Sequence, residues 1–327
     1  MNQLLSNWYH CFNLIIGTNY AFVRPLQTTV PSPAPSLQLV WQTQSHSNDS
    51  WSALPSLFQS QRRTIDDKYH ALTIYGLPNY KVAHFPYMAD FYIDAQTITA
   101  HVSPHQDPNL IESTFLKDIM AMWLETQLYI VLHASSVLID KYAVGFIAQS
   151  GQGKTSLAAS FVQANYPLVT DDMLALQITT NQTNTLPGYQ WMRVNDEQIT
   201  QFIGSKAQLE PVMANHPKKI APVGSGWGQM ATNYPQLACL YLPERVHADI
   251  PIKITPLSAR EALISLVTHS FAANAMHAFD LVDSRFQRLN HLIKQVPVRK
   301  LQYPHGWHHL PHVRTAIIDD VYNLARG

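Results

Sequence analysis

Charge is scarce in this chain. Charged residues make up 13% of the 327 and divide evenly, 22 basic against 22 acidic, which leaves no formal net charge with histidine neutral. A wide electrostatic footprint for nucleic acid is thereby excluded, and an anionic ligand has to be held by local groups. Cysteine is scarcer still. Cys11 and Cys239 stand too far apart in sequence for a CxxC metal pair, and two thiols make no disulfide framework, so they predict a reducing, cytoplasmic setting. No apolar run reaches the ~18–20 residues of a membrane span. The early run Phe12–Ile16 is short, lacks basic residues before it and has no cleavage site after it, so it reads as mature protein. No internal repeat is visible. What remains is a chain 46% hydrophobic, enough for the core of one large or two modest domains and far too apolar for a disordered one.

The texture changes along the chain. Residues 31–35 read PSPAP, an extended linker that leaves the first ~30 residues loosely attached. Short alternations such as Leu37-Leu39-Trp41 and Phe91-Ile93, broken by Pro55, Pro78 and Pro86, predict a smaller strand-rich region before Val102. Between Leu110 and Tyr129 there is neither Gly nor Pro, and Phe115, Ile119, Met122 and Trp123 recur at helical spacing, which predicts a long amphipathic helix. Two β-rich runs, 133–139 and 142–148, flank Asp140-Lys141 as in a hairpin. Downstream, Leu237–Leu242 and Ile250–Ile254 read as strands. Ser258 and Glu261 form a capping box before Leu263, Leu266 and Val267, and further helices fit Phe279–Gln295 and Pro311–Ala325. The domain reading is an N-terminal α+β region at 1–127, placed to recognise a substrate, and a second domain at 128–327.

The segment Ala148-Gln149-Ser150-Gly151-Gln152-Gly153-Lys154-Thr155 fits the phosphate-loop pattern GxxxxGK[ST] except at its first position, where Ala replaces Gly. A strand precedes it and a helix of good formers follows. In such a loop the amides of Ser150, Gly151, Gln152, Gly153, Lys154, Thr155 and Ser156 curl toward a phosphate, and the helix points its positive end at the anion. Lys154 adds charge and Thr155 a hydroxyl for Mg2+. A strand over 166–170 ends in Asp171-Asp172. In a parallel α/β unit the carboxyl ends of neighbouring strands meet at the ligand crevice, so both carboxylates are expected to face the phosphates, one on Mg2+ and one as general base.

Taken together, LHASSVLID, FIAQSGQGKTSLAASF and YPLVTDDMLAL resemble the HPr serine kinase-like family, within the superfamily that also holds ATP-type phosphoenolpyruvate carboxykinases. The shared elements are an SGxGK[ST] loop, a histidine twenty-one residues before the loop lysine (His133) and an Asp-Asp pair seventeen residues after it. The resemblance implies an α/β fold with a P-loop core, a mixed sheet flanked by helices. It also implies an ATP- and Mg2+-dependent kinase acting on a serine of a protein or peptide, with homo-oligomerisation left open. In that reading Asp171 is the base, Asp172 the metal carboxylate beside Thr155, and His133 tunes the first aspartate. Lys218-Lys219 occupy the place of a basic pair that can neutralise transition-state charge.

The chain also departs from the family. No Glu-x-Arg-Gly-type segment follows the aspartates, which separates it from kinases acting on HPr itself and from reverse phosphorolysis. A catalytically idle ATP-binding sensor or scaffold is the alternative, and a carboxykinase-like reaction would need further arginines. Two other features read as connectors: the histidines at 305, 308, 309 and 312, framed by Pro304, Gly306 and Pro311, and the GSGWG run at 224–228 with an exposed tryptophan.

Overall fold

The computed structural model describes residues 5–44, 51, 53–149, 151–204 and 208–326. The chain divides into two compact units, Met1–Leu128 with Ala272–Ser284, and Tyr129–Phe271 with Arg285–Gly327.

Alternating burial builds the sheet of the first unit. Its strands are β1 (Asn7–Cys11), β2 (Leu14–Thr18), β3 (Gln27–Thr28), β4 (Leu37–Thr43), β5 (Ser56–Gln59), β6 (Thr73–Gly76), β7 (Lys81–Phe85), β8 (Ala89–Ile93) and β9 (Thr97–Val102). Among the described residues their spatial order is β3-β1-β2-β4-β9-β8-β7-β6-β5. The first thirty residues are not loosely attached. β1 and β2 pair inside the sheet through a two-residue turn in which Phe12 and Asn13 both take positive φ, at 50° and 59°, the geometry of a primed hairpin turn. The buried carboxylate of Glu112 then fastens the segment that follows, accepting from the Tyr20 hydroxyl (2.8 Å) and from the amides of Val23 (2.8 Å) and Arg24 (3.2 Å).

Glu112 belongs to α1 (Pro108–Thr114), which continues through a π-helical turn, Phe115–Ile119, into α2 (Met120–Thr126). The segment is helical as its spacing predicts, but it is not amphipathic, since every residue from Met120 to Glu125 is buried. Phe115 explains this, because its ring stacks on Phe91 of the sheet at 6.3 Å and on Phe22 of the N-terminal segment at 5.8 Å. Apolar surface on both sides leaves the helix only a narrow wet edge at Lys117 and Asp118.

The second unit holds β10 (Ile130–Leu132), β11 (Ala134–Ile139), β12 (Tyr142–Ile147), α3 (Lys154–Gln163), β13 (Leu168–Thr170), β14 (Leu174–Ile178), β15 (Thr183–Leu186), β16 (Trp191–Val194), α4 (Asp196–Phe202) and β17 (Lys219–Pro222). After these come β18 (Gln236–Val246), β19 (Lys253–Pro256), α5 (Ala259–Thr268), α6 (Val282–Gln295), β20 (Val298–Pro304) and α7 (Leu310–Arg326). The main sheet runs β10-β14-β15-β18-β12-β11-β13, with β20 beside β18, β19 beside β20, and β16-β17 as a separate ribbon. One face packs under α3 and α7 through Leu157, Phe161, Val313, Ile317 and Val321, and the other under α5 and α6 through Leu266, Leu289 and Leu292. This is a mixed α/β sheet flanked by helices.

Local expectations hold with shifts at the ends. The Ser258–Glu261 capping box is formed in both directions. Val267, however, is exposed while Leu266 is buried, and helix α6 starts at Val282 because residues 273–279 form a 3-10 turn. Helix α7 begins one residue before Pro311.

Candidate active site

Strand direction gathers the site. β11 and β12 form the expected hairpin, with Asp140 at φ 52° in its turn, and β13 pairs antiparallel to β11 on its other side. β12 and β13 are therefore not neighbours, as a parallel unit predicts; they point the same way with β11 between them. β18 runs parallel to β12, and β20 parallel to β18. The carboxyl ends of β13, β12, β18 and β20, together with the start of β11, all meet at one edge. In a sheet of this kind that edge is the ligand crevice. A cleft of about 350 Å3 opens there, lined by residues from each of these ends.

The loop after β12 carries the glycines the sequence singles out. Gly151 and Gly153 take φ of 85° and 102°, a region that side chains disfavour. Ala148 lies outside that region, so its methyl brings no strain at the first position of the pattern. Gly153 is also crowded: a Cβ there would meet the Tyr303 hydroxyl at 2.7 Å and the Arg245 guanidinium at 2.9 Å. Ser150 lies outside the described residues. Gln152 is exposed, whereas Ser156 is buried and its hydroxyl accepts from Gln198 Nε2 at 2.9 Å.

Lys154 opens α3 and folds back on the loop, donating from Nζ to the carbonyls of Ala148 (2.6 Å) and Gln149 (3.1 Å). Burial pushes its pKa down, Asp171 and Asp172 push it back up, and Lys218 lowers it. Lys218 lines the cleft, but Lys219 does not act with it, because its Nζ is 2.7 Å from Asp196 Oδ1.

The two aspartates have different surroundings. Asp171 is buried, and its Oδ1 accepts from the hydroxyls of Ser135 (2.6 Å) and Thr155 (3.2 Å) while its Oδ2 accepts from the Arg193 amide at 2.9 Å. Asp172 lines the cleft in a left-handed conformation, φ 73°, which is uncommon for a residue with a side chain but which aspartate adopts more readily than most. His133 Nε2 is 3.0 Å from its Oδ1, and Arg193 Nη1 donates to its Oδ2 at 3.0 Å. His133 thus meets the second aspartate and not the first, to which the resemblance assigned it. The histidine is itself seated by its amide, which donates to the His269 carbonyl at 2.8 Å.

No family model and no curated protein matches the chain. Among solved structures it is similar to an Hpr(Ser) kinase/phosphatase from Coxiella burnetii, at 14% identity over 60% of this chain and 99% of that one, with a TM-score of 0.31. So loose an overlap carries no argument about function, which rests on the side chains of the cleft.

Ser135 and Arg193, which hold the aspartates, and Gln198, Arg245, Tyr303, Trp307 and Leu310, which line the cleft, all escape the sequence reading. Ser135 lies two residues beyond His133 in a motif already singled out, so a hydroxyl inside LHASS is a signal available in hindsight. Arg193 meets the aspartates from the separate β16-β17 ribbon, and Arg245 and Tyr303 reach the loop only through strand order. Of the remaining motifs, the histidine run borders the cleft, which His305 and Gly306 line, and the glycine run does not. Gly224–Gly228 is a turn closed by the Gly224 amide on the Trp227 carbonyl, and Trp227 is partly buried, its Nε1 donating to the Phe202 carbonyl at 3.1 Å. The His308 and His309 rings lie 3.9 Å apart, tilted at 43°, and among the described residues no three His, Cys, Asp or Glu side chains gather as a metal site. Among the same residues no helix is long and apolar enough to cross a membrane.

Proposed function

We propose that this cleft binds ATP with Mg2+ and transfers the terminal phosphoryl group to a serine hydroxyl of a protein or peptide. The observation that carries the reading is the division of labour in the aspartate pair: Asp171 is tied to the loop threonine, while Asp172 faces the cleft between His133 and Arg193.

The residues fit both groups. Lys154 is a buried cation beside Lys218 and Arg245 at the turn of a glycine loop, a set that a polyphosphate would neutralise. Thr155 Oγ1 and the Asp171 carboxylate are the hard oxygen donors Mg2+ takes. When bound, the cation neutralises charge on the transferring group. The protein's own part is positioning and electrostatics. The loop and Lys154 orient the phosphates, Lys218 and Arg245 stabilise added negative charge, and Asp172 accepts the serine proton. His133 and Arg193 hold one Asp172 oxygen each and so fix the carboxylate's plane. These roles reverse the assignment the resemblance implies. Asp171, held beside the Thr155 hydroxyl, is the metal carboxylate, and its buried oxygens, occupied by Ser135, Thr155 and the Arg193 amide, are closed to a serine hydroxyl, which leaves Asp172 as the base.

The test is MgATP binding and γ-phosphate transfer to a serine peptide library by the native protein, Lys154→Ala, Asp171→Asn and Asp172→Asn. Asp172→Asn is expected to bind MgATP as the native protein does and to lose roughly 10²–10⁴-fold in transfer, while Asp171→Asn loses Mg2+-dependent binding. Native transfer by Asp172→Asn removes it as the base. A native protein that binds without transferring is instead the idle nucleotide module, and one that binds no nucleotide ends the reading.

A further inference from the structure

We propose that the nucleoside of the donor lies against Trp307, on the side of the cleft away from the aspartates, and that a purine base is held there by stacking. The inference rests on the nucleotide reading above and adds where the base goes and what holds it.

Strand order gives the direction. Across the carboxyl edge the strands stand β20-β18-β12-β11-β13, so the glycine loop after β12 occupies the middle. Asp172 follows β13 and His133 precedes β11, both to one side. The terminal phosphoryl group must lie on that side, within reach of the base and the acceptor. The inner phosphates and the nucleoside then extend the other way, over β18 and β20. Four strand spacings, roughly 19 Å, separate the two ends, which is room for a triphosphate chain and a nucleoside laid end to end.

The side chains along that path suit those parts in order. Next to the loop stand Arg245, at the end of β18, and Tyr303, in β20, with the guanidinium hydrogen-bonded to the hydroxyl above Gly153. A cation there meets the inner phosphates. β18 is long enough to bring it, since its pairing with β12 ends at Tyr241 while the strand continues to Val246. Beyond lie Trp307 and Leu310, which also line the cleft. Gly306, at φ 125°, turns the chain so that Trp307 opens a short 3-10 helix, and the indole meets the Phe202 ring edge-on at 5.4 Å and 90°. That contact fixes the ring's orientation while leaving it partly exposed. A rigid, partly exposed indole at the end of a phosphate path is a stacking platform, and a purine offers it the larger face.

The experiment compares MgATP with inorganic tripolyphosphate, which has the phosphates and no base, by calorimetric titration of the native protein, Trp307→Leu and Trp307→Phe. Trp307→Leu is expected to weaken MgATP binding by roughly tenfold or more and to leave tripolyphosphate unchanged, with Trp307→Phe between the two. Unchanged tripolyphosphate binding also shows that the loop is still folded. Equal losses for the two ligands, or none for MgATP, overturn the stacking site while the nucleotide reading stands. A native protein that binds neither ligand overturns both.

Discussion

Replacing Gly153 with alanine tests the geometry of the loop most directly, because Gly151 two residues away is a built-in control. Both glycines have positive φ, but a Cβ on Gly151 would meet nothing within 4 Å. Gly151→Ala therefore meets only backbone strain, about 1–2 kcal/mol, partly offset by about 0.4–1 kcal/mol from a stiffer unfolded chain. Gly153→Ala meets the same strain and a collision. The exposed Arg245 can swing away from the new methyl, but Tyr303 is 2% exposed and packed in the core, so its hydroxyl at 2.7 Å cannot withdraw. Overpacking of this kind adds about 1–3 kcal/mol. For a unit of this size the melting temperature is expected to fall about 2–4 °C per kcal/mol, so Gly153→Ala should melt several degrees below Gly151→Ala. Differential scanning calorimetry of the two variants beside the native protein reads the difference. Equal melting temperatures would refute the reasoning, since Tyr303 and Arg245 would then not stand over Gly153.

Two further outcomes are expected. Glu112→Ala strips the buried acceptor from Tyr20, Val23 and Arg24 and is expected to cost about 2–4 kcal/mol in urea unfolding, with faster chymotryptic cleavage after Tyr20 and Phe22; an unchanged cleavage rate would show that the segment is held by other contacts. The depressed pKa of Lys154 makes stability depend on pH. Just below the ordinary lysine value of 10.5 the unfolded chain keeps this proton while the folded one releases it, so the lysine's contribution to stability rises with pH through that window. Lys154→Met should remove that increment from the native urea-midpoint profile, and superimposable profiles would count against the burial of its charge.

Local signals in the sequence were reliable where a feature is made by consecutive residues. The β11–β12 hairpin, the glycine loop, the helix after it and the Ser258 capping box all follow from a few neighbours. The β1–β2 turn was illegible for the opposite reason: Phe12 and Asn13 adopt a conformation usually marked by Asn-Gly, and burial of the Phe12 ring, not intrinsic preference, holds it there. The helix around Phe115 was legible as helix but not as a fully buried one, because only the fold brings Phe22 against its second side. In the cleft, the spacing of His133, Lys154 and Asp171-Asp172 brought the right segments together, yet it could not say which aspartate each partner meets. Arg193, Arg245 and Tyr303 lie on strands whose order no local pattern encodes.

The order of elements along the chain also bears on synthesis. The glycine loop and the aspartates are complete once residue 172 has been made, whereas Tyr303 and Trp307 come from the last tenth of the sequence, after an excursion through residues 272–284 that belong to the other unit. A nascent chain therefore carries the glycine loop and the aspartates for some 130 further residues, several seconds at ribosomal speed, before Tyr303 and Trp307 exist. During that interval the central sheet lacks β20, and the edge of β18 from Leu240 onward has no β20 to pair with.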